Sequence, residues 1–395
     1  MKTPDSSQRT RLENEHAPQF SLLMYAHDEP DTIGRAITSL KHQTVSDFEL
    51  IVLDDASVNR TVLRALRSIA SDGRIRFIHF DTMQGMAAAY NAGLSVAQGE
   101  YVGFPLSLDY VEPTYLEAAL NTLKAAEKTG ENHPDMIIES ITEDHYNHKR
   151  VFAFDERVRL EDELLTSRDI PNQIIELAEG QVLSTLFNKF IRRAFIGETC
   201  FEVSRNGGAQ KSADAHFDPF SFILELIEKA HSIALTHEAP YHFQHYVALE
   251  PRIQKHPDPF FAQHRRIALL CEYLSAHDLF KREAMRERVA MLYVKAVVNE
   301  LVRIVDQDVH MSTAEQERWT RYLFNDPLFI ELLSESPTQT SSPDTNQLAQ
   351  KYPGYLVRFK KLLKAKNVNK ILGKARMLRY LRSFGPGSRA RKLDL

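Results

Sequence analysis

Between Gln19 and Phe154, short apolar runs alternate with segments of helical period, and this alternation constrains the fold more than any other feature of the chain. Phe20-Ser21-Leu22-Leu23-Met24 reads as a buried strand, after which Ile33, Ala36, Ile37 and Leu40 recur at helical spacing. Phe48 to Leu53 is a second strand, followed by a helix carrying Val62, Leu63, Leu66 and Ile69. Ile75 to His79 is a third, leading into an Ala-rich helix from Met86 to Ala97. Tyr101 to Phe104 is a fourth, Pro113 to Lys128 a helix, and Met136-Ile137-Ile138 a fifth strand. Strands joined by helices build right-handed crossovers, so the chain is expected to be α/β, with a mainly parallel sheet and helices on both faces.

The texture changes near Pro251. Asp258-Pro259 reads as an N-cap with a first-turn proline, and Lys281 to Val305 carries the apolar stripe of a long amphipathic helix. Ser312-Thr313-Ala314-Glu315 fits a capping box that opens a helix with Trp319 and Tyr322. These changes divide the chain into a polar extension (1–17), an α/β domain (18–248), an α-helical domain (249–333), a Ser/Thr/Pro linker (334–346) and a basic tail (347–395). With 395 residues, the chain is too long for one simple domain. The two cysteines, Cys200 and Cys271, form neither a metal-ligand spacing nor a disulfide framework, which points to a reducing, cytoplasmic compartment. No run approaches the ~18 consecutive apolar residues of a spanning helix, and the polar N-terminus lacks the apolar core of a secretory signal.

In an open α/β sheet, ligands sit beyond the carboxyl ends of the strands, near the point where strand order reverses. Asp54-Asp55-Ala56-Ser57 follows the second strand at such a place. Carboxylates there accept hydrogen bonds from a base N–H or a ribose hydroxyl; the same residue types also cap turns and helices. Around this turn, the first strand ends in Met24-Tyr25-Ala26-His27-Asp28-Glu29, and a helix ends in Ser39-Leu40-Lys41-His42-Gln43-Thr44. Asp47-Phe48-Glu49-Leu50 enters the second strand, and Gly85, Asn91, Ala92, Gly93, Ala97, Gly99, Glu100 and Tyr101 follow as a spaced series. In order and spacing, these segments resemble the N-terminal half of the family 2 glycosyltransferases. The resemblance implies a GT-A (Rossmann-like) fold and inverting sugar transfer from a nucleotide-sugar donor, a UDP-sugar. It implies that Asp55, beside Asp54, contacts the uracil or another base, and that Tyr25, His27 and Asp28 wall the base and ribose. Asn91 would line the donor site; a helix-surface or capping role is its other reading.

Family members end the fourth strand in an Asp-x-Asp cluster that holds a divalent metal, Mg or Mn, against the donor diphosphate. Here the stretch reads Phe104-Pro105-Leu106-Ser107-Leu108-Asp109, with leucines in place of two carboxylates. Three outcomes are open: Asp109 alone anchors a water-rich metal ion, cationic side chains take over the diphosphate charge, or catalysis is lost. Asp109 also reads as an N-cap for the helix near Pro113.

Inverting transfer needs a base beside the acceptor hydroxyl. Related enzymes carry an Asn-Lys-x-x-Arg-Arg segment before a Glu-Asp pair that supplies it. Asn188-Lys189-Phe190-Ile191-Arg192-Arg193 matches the first, and His216-Phe217-Asp218-Pro219 the second, with Phe217 in place of the glutamate. By this resemblance Asp218 is the catalytic base, with Asp214 and His216 as local substitutes; an N-cap before Pro219 is compatible with that role. Lys189, Arg192 and Arg193 would offset diphosphate charge on the acceptor side, or else form a solvated face. His242 and His245, three apart on a strand, point to opposite faces, which argues against their ligating one metal together.

From Arg358 to Arg382, ten cations occur without an acidic residue, interleaved with Leu356, Phe359, Leu363, Ile371, Leu372, Ala375, Leu378 and Leu381. Such a helix over 356–392 suits an anionic membrane surface. Nucleic-acid phosphates would attract the same charges, but the resemblance favours membrane, since family 2 enzymes commonly extend lipid-linked or envelope glycans. Packing on the helical region is the third reading. The chain is therefore expected to be a bacterial, peripheral-membrane glycosyltransferase at the inner face of the plasma membrane, acting on a cell-envelope polysaccharide or lipid-linked acceptor. The rival is an inactive GT-A module that binds a glycan or a partner enzyme, favoured by Leu106, Leu108 and Phe217.

Overall fold

The computed structural model describes residues 17–69, 72–130, 133–146, 151–180, 182–203, 217–246, 259–306, 309–334 and 351–384. Strands β1 (Phe20–Ala26) and β2 (Phe48–Asp55) are buried along their whole length, as their mainly apolar runs require, and the polar Ser21 and Glu49 within them bond each other at 2.6 Å. β2 pairs in parallel with β1 on one side and with β3 (Ile75–Phe80) on the other. β1 also pairs in parallel with β4 (Tyr101–Gly103), so strand order reverses between β2 and β4. The crossovers are α1 (Ile33–Lys41), α2 (Arg60–Ile69) and α3 (Met86–Val96). α1 buries Ile33, Ala36, Ile37 and Leu40, the four positions its periodicity singled out. Burying Ile33, Ile37 and Leu40 contributes about 2 kcal/mol each, and the Ala36 methyl less.

Gly99 has a steric reason to be glycine. A Cβ there would lie 2.4 Å from the backbone nitrogen of Ser21, and the close approach lets the Gly99 N–H donate to the Ser21 hydroxyl at 2.8 Å.

Beyond β4 the sheet is mixed. β9 (Lys189–Arg192) lies antiparallel between β4 and β6 (Met136–Tyr146), and β6 runs parallel to the long β10 (Ser232–Tyr246). β5 (Tyr110–Val111), β7 (Phe152–Val158) and β8 (Glu163–Thr166) add antiparallel edges. Among the described residues this is one sheet, in which β1, β2, β3, β4, β6 and β10 all point their carboxyl ends to one edge. Between the strands lie α4 (Tyr115–Lys128), α5 (Ile170–Glu179), the one-turn α6 (Arg193–Ile196) and α7 (Phe220–Lys229). The fold is α/β and GT-A-like, with a helical C-terminal region.

The chain divides into two compact units, 1–170 with 180–255, and 171–179 with 256–395. The second holds α8 (Pro259–Ala276), α9 (Glu283–Ile304), α10 (Thr313–Leu323), the short α11 (Pro327–Phe329), α12 (Gly354–Lys364) and α13 (Val368–Phe384). It also takes in most of α5, which the sequence alone places within the 18–248 segment. Arg288 explains why, since its guanidinium donates to both Glu179 carboxylate oxygens at 3.0 and 2.7 Å. The capping box at Ser312 and Glu315 is present as expected.

The basic tail needs a correction. Leu356, Phe359, Leu363, Ile371, Leu372 and Ala375 are buried in the core of the second unit, where α12 and α13 pack on α9 and α13 on α10. The apolar stripe expected to enter a membrane is thus already covered by the chain's own helices. Part of the charge is also paired, Lys360 with Glu287 and Arg379 with Asp306. Arg358, Lys361, Lys364 and Lys370 remain on the surface. No helix among the described residues is long and apolar enough to cross a membrane. Residues 335–346 of the linker and 385–392 of the tail lie outside the described residues.

Candidate functional site

The exits of β1 and β2 form one hydrogen-bonded unit. Asp55 is fully buried at the end of β2. Its carboxylate accepts from the Tyr25 hydroxyl at 2.9 Å, from the Gln84 N–H at 2.6 Å and from the Gly85 N–H at 2.8 Å. Gly85 has φ 86°, a left-handed conformation that glycine adopts without strain, and it opens α3. His27 Nδ1 lies 2.6 Å from the Asp55 carbonyl oxygen. Asp28, at φ 54°, accepts from the Val58 and Asn59 N–H groups at 2.9 and 2.8 Å and so ties the first turn to the start of α2. Asp54 accepts from the Ser57 N–H at 3.3 Å and lies 2.8 Å from His79 Nδ1. Ala56 is also at positive φ, 59°. Two non-glycine residues held left-handed at adjacent strand exits are strained, and such strain clusters at ligand sites.

Glu29, in the same turn, is a site residue that sequence reasoning missed. It accepts from the His27 N–H at 2.7 Å, and burial pushes its carboxyl up to about 7 despite a hydrogen bond from Ser107. Ser107 stands between Leu106 and Leu108, so Glu29 is the carboxyl that joins the early turn to the exit of β4. The signal was its place in the Tyr25 to Glu29 motif; the partner across the sheet could not be read from the sequence.

Asp109 does not fill that place. It is 1% exposed and faces β10, where it accepts from the Tyr241 hydroxyl at 2.8 Å and the Gln244 N–H at 3.0 Å. Burial raises its carboxyl to about 7, outweighing those two bonds. With both oxygens engaged, burial disfavouring its charge, and Leu106 and Leu108 where carboxylates would stand, Asp109 does not fit a hard cation. The expected metal and diphosphate role of Asp109 is corrected accordingly: it pins the β4–β5 turn to β10.

Asn91 works as a clamp. Its amide donates to the Phe201 carbonyl at 2.9 Å and accepts from the Phe201 N–H at 2.8 Å. Phe201 joins an aromatic wall with Tyr90, Phe104 and Phe217, with ring centroids 5.5 to 6.0 Å apart. Tyr90 in turn lies 6.4 Å from Tyr25. Phe217, which replaces the expected glutamate, thus packs into this aromatic wall, and its neighbour Asp218 stands just before α7. Asp218 also accepts from the Phe220 N–H at 3.0 Å at the start of α7. Asp214 and His216 lie outside the described residues.

The expected cationic cluster fails on topology. β9 runs against β4, with Arg192 opposite Tyr101, so Arg192 and Arg193 lie at the amino edge of the sheet, away from the strand exits. There Arg192 pairs with Asp135, and Arg193 donates to the Gly99 carbonyl at 2.9 Å. Lys189 is fully buried and donates to the Val182 carbonyl at 2.6 Å and to the Asn188 side chain at 2.9 Å, and burial drives its ammonium well below the usual range. It braces its own loop and cannot reach a diphosphate. Arg35 stands instead beside β5 and β10, its guanidinium 4.7 Å from the Tyr110 ring centroid and bonded to Gln244.

Residues 21–194 match the family model described as glycosyl transferase family 2. EpsH of Bacillus subtilis (strain 168) is 28% identical over 241 residues, 60% of this chain and 64% of that protein. The succinoglycan biosynthesis protein ExoO of Rhizobium meliloti (strain 1021) is 34% identical over 109 residues, 28% of this chain and 31% of that one. The chain thus spans less than two thirds of the length of these two curated relatives. In fold, it is similar to the crystal structure of S. aureus TarS 1-349 in complex with UDP-GlcNAc, with a TM-score of 0.58 at 16% identity over 91% of each chain.

Proposed function

We propose, from the family 2 glycosyltransferase domain that residues 21–194 constitute, that the chain transfers a sugar from a UDP-sugar to a cell-envelope polysaccharide or lipid-linked acceptor. The observation that carries this reading is the lock at the strand exits, where Asp55 holds Tyr25 and the Gln84–Gly85 turn together. In this reading, the base and ribose seat on the surface that the Tyr25 to Asp28 turn and the Asp54 to Ser57 turn form together. The diphosphate then lies toward Glu29 and Ser107, and a protonated Glu29 can donate to it where an ionised one would repel it. Asp218 takes the proton of the acceptor hydroxyl as that oxygen attacks the anomeric carbon; the bond to the nucleoside diphosphate breaks on the opposite face, with inversion. No metal enters this scheme, because the β4 exit offers no open carboxylate pair. The exposed cations Arg358, Lys361, Lys364 and Lys370 support a peripheral place on an anionic, cytoplasmic membrane face.

The second reading, an inactive module that binds a glycan or a partner enzyme, is favoured by Leu106, Leu108 and Phe217. UDP release from a panel of UDP-sugars, with cell-envelope extract as acceptor, separates the two. Turnover that persists in a chelator and falls by about 10²–10⁴ in Asp218→Asn supports the enzyme. UDP binding without turnover in any condition supports the module.

A further inference from the structure

Past the β4 exit, the long strands β6 and β10 carry a cluster that the sugar-transfer reading does not use. Glu143 and His145 alternate on one face of β6, and His245 lies on the same face of β10, directly opposite His145 in register. The His145 and His245 rings stack with centroids 4.6 Å apart. His245 Nε2 lies 3.3 Å and His145 Nε2 3.7 Å from the same oxygen of Glu143. One ligand atom from each residue lies within 4.8 Å of the other two. Both Nε2 atoms are buried without a hydrogen bond, and His145 as a residue is only 7% exposed. A buried imidazole nitrogen without a hydrogen-bond partner costs stability unless something else satisfies it.

From this geometry we infer that Glu143, His145 and His245 form a binding site for a borderline divalent transition metal, Zn²⁺ being the ion to test. Two neutral imidazoles and one carboxylate are a ligand set for zinc-like ions, whereas Mg²⁺ and Ca²⁺ prefer all-oxygen shells. Ligand bonds of about 2.1 Å in a tetrahedral shell place donor atoms about 3.4 Å apart, and the separations of the two imidazole nitrogens from Glu143 straddle that spacing. Phe154 stacks on His145 at 4.6 Å and Phe243 meets His245 edge-on at 4.7 Å, so both rings are fixed in orientation. Glu156 of β7 stands directly opposite Glu143, a like-charge cross-strand pair that a cation between the strands would relieve. The site joins the ends of β6 and β10, next to Gln244, whose N–H holds Asp109. It stands apart from the strand exits of β1 and β2, so it does not depend on the proposed reaction.

The test uses the untagged full chain, stripped with a chelator and titrated with ZnCl₂ by calorimetry, and with CoCl₂ in visible absorption. One equivalent of Zn²⁺, a Co²⁺ ligand-field band, and a Tm rise of about 5 °C at saturation are expected, with no response to MgCl₂. His245→Ala and Glu143→Gln should each weaken Zn²⁺ by more than about a hundredfold. The inference is overturned if the wild type binds no stoichiometric zinc. It is equally overturned if both variants bind as the wild type does, which would place the metal elsewhere among the 16 histidines. If His245→Ala fails to fold, Glu143→Gln, which keeps size and register, decides the question by itself.

Discussion

Two aspartates stand at the carboxyl edge of this sheet in matching dress, and their difference is instructive. Asp55 and Asp109 are both buried, and each accepts from a tyrosine hydroxyl and from backbone N–H groups. Asp55 has three donors, two of them where α3 opens and the helix dipole favours a carboxylate. Asp109 has two, from strand β10, and burial raises it to about 7. The first ties the Tyr25 turn to the opening of α3, where strand order reverses. The second seals a turn against a strand and leaves nothing for a ligand to touch. A motif carboxylate is therefore placed by which element its donors come from, a helix start for Asp55 and a strand for Asp109.

The comparison can be broken by unfolding the two alanine variants in urea at pH 8. Asp55→Ala strands the Tyr25 hydroxyl and two N–H groups and is expected to cost about 4 kcal/mol, with UDP binding lost. Asp109→Ala strands one hydroxyl and one N–H but also removes a carboxyl that burial disfavours. A cost of about 2 kcal/mol is expected, with the UDP Kd within about twofold; equal costs would end the contrast. A sharper version follows pH. The Glu29 carboxyl sits at about 7 in the fold against an ordinary 4.5. Its contribution to stability is whole below pH 4.5 and is lost as pH rises through 7. Glu29→Gln should therefore flatten the fall in urea midpoint across that window, and an unchanged slope would remove Glu29 from the buried turn. The smallest effect is expected at the opposite edge of the sheet. Arg193→Ala should leave the donor KM within about twofold, and a larger rise would return Arg193 to the diphosphate.

The first two strands, α1 and the turn from Asp54 to Ser57 were legible because their signals are local: apolar runs, helical spacing and turn chemistry. Lys189, Arg192 and Arg193 were misplaced because a motif does not state which way its strand runs. β9 is antiparallel to β4, and that single inversion carries both arginines to the far edge. Glu29 and Ser107 meet only through the parallel pairing of β1 with β4. The opposite-face argument for His242 and His245 agrees with the structure, where His242 meets Tyr110 and Asp144 while His245 meets His145 and Glu143. His145 escaped notice because it lies a hundred positions from its partner in the chain and becomes its neighbour only through register.

The seating of α12 and α13 bears on how vesicle attachment can be studied. Cutting the chain before Lys351 would uncover the patches that Leu356, Phe359, Leu363 and Ile371 now shield. The shortened protein would then cling to liposomes and to itself through freshly bared hydrocarbon, mimicking the behaviour it was meant to abolish. Reversing Lys361 and Lys364 to glutamate, on the solvent side of α12, alters the electrical signature while keeping the helix docked. Loss of binding to phosphatidylserine vesicles in that variant reports on charge alone.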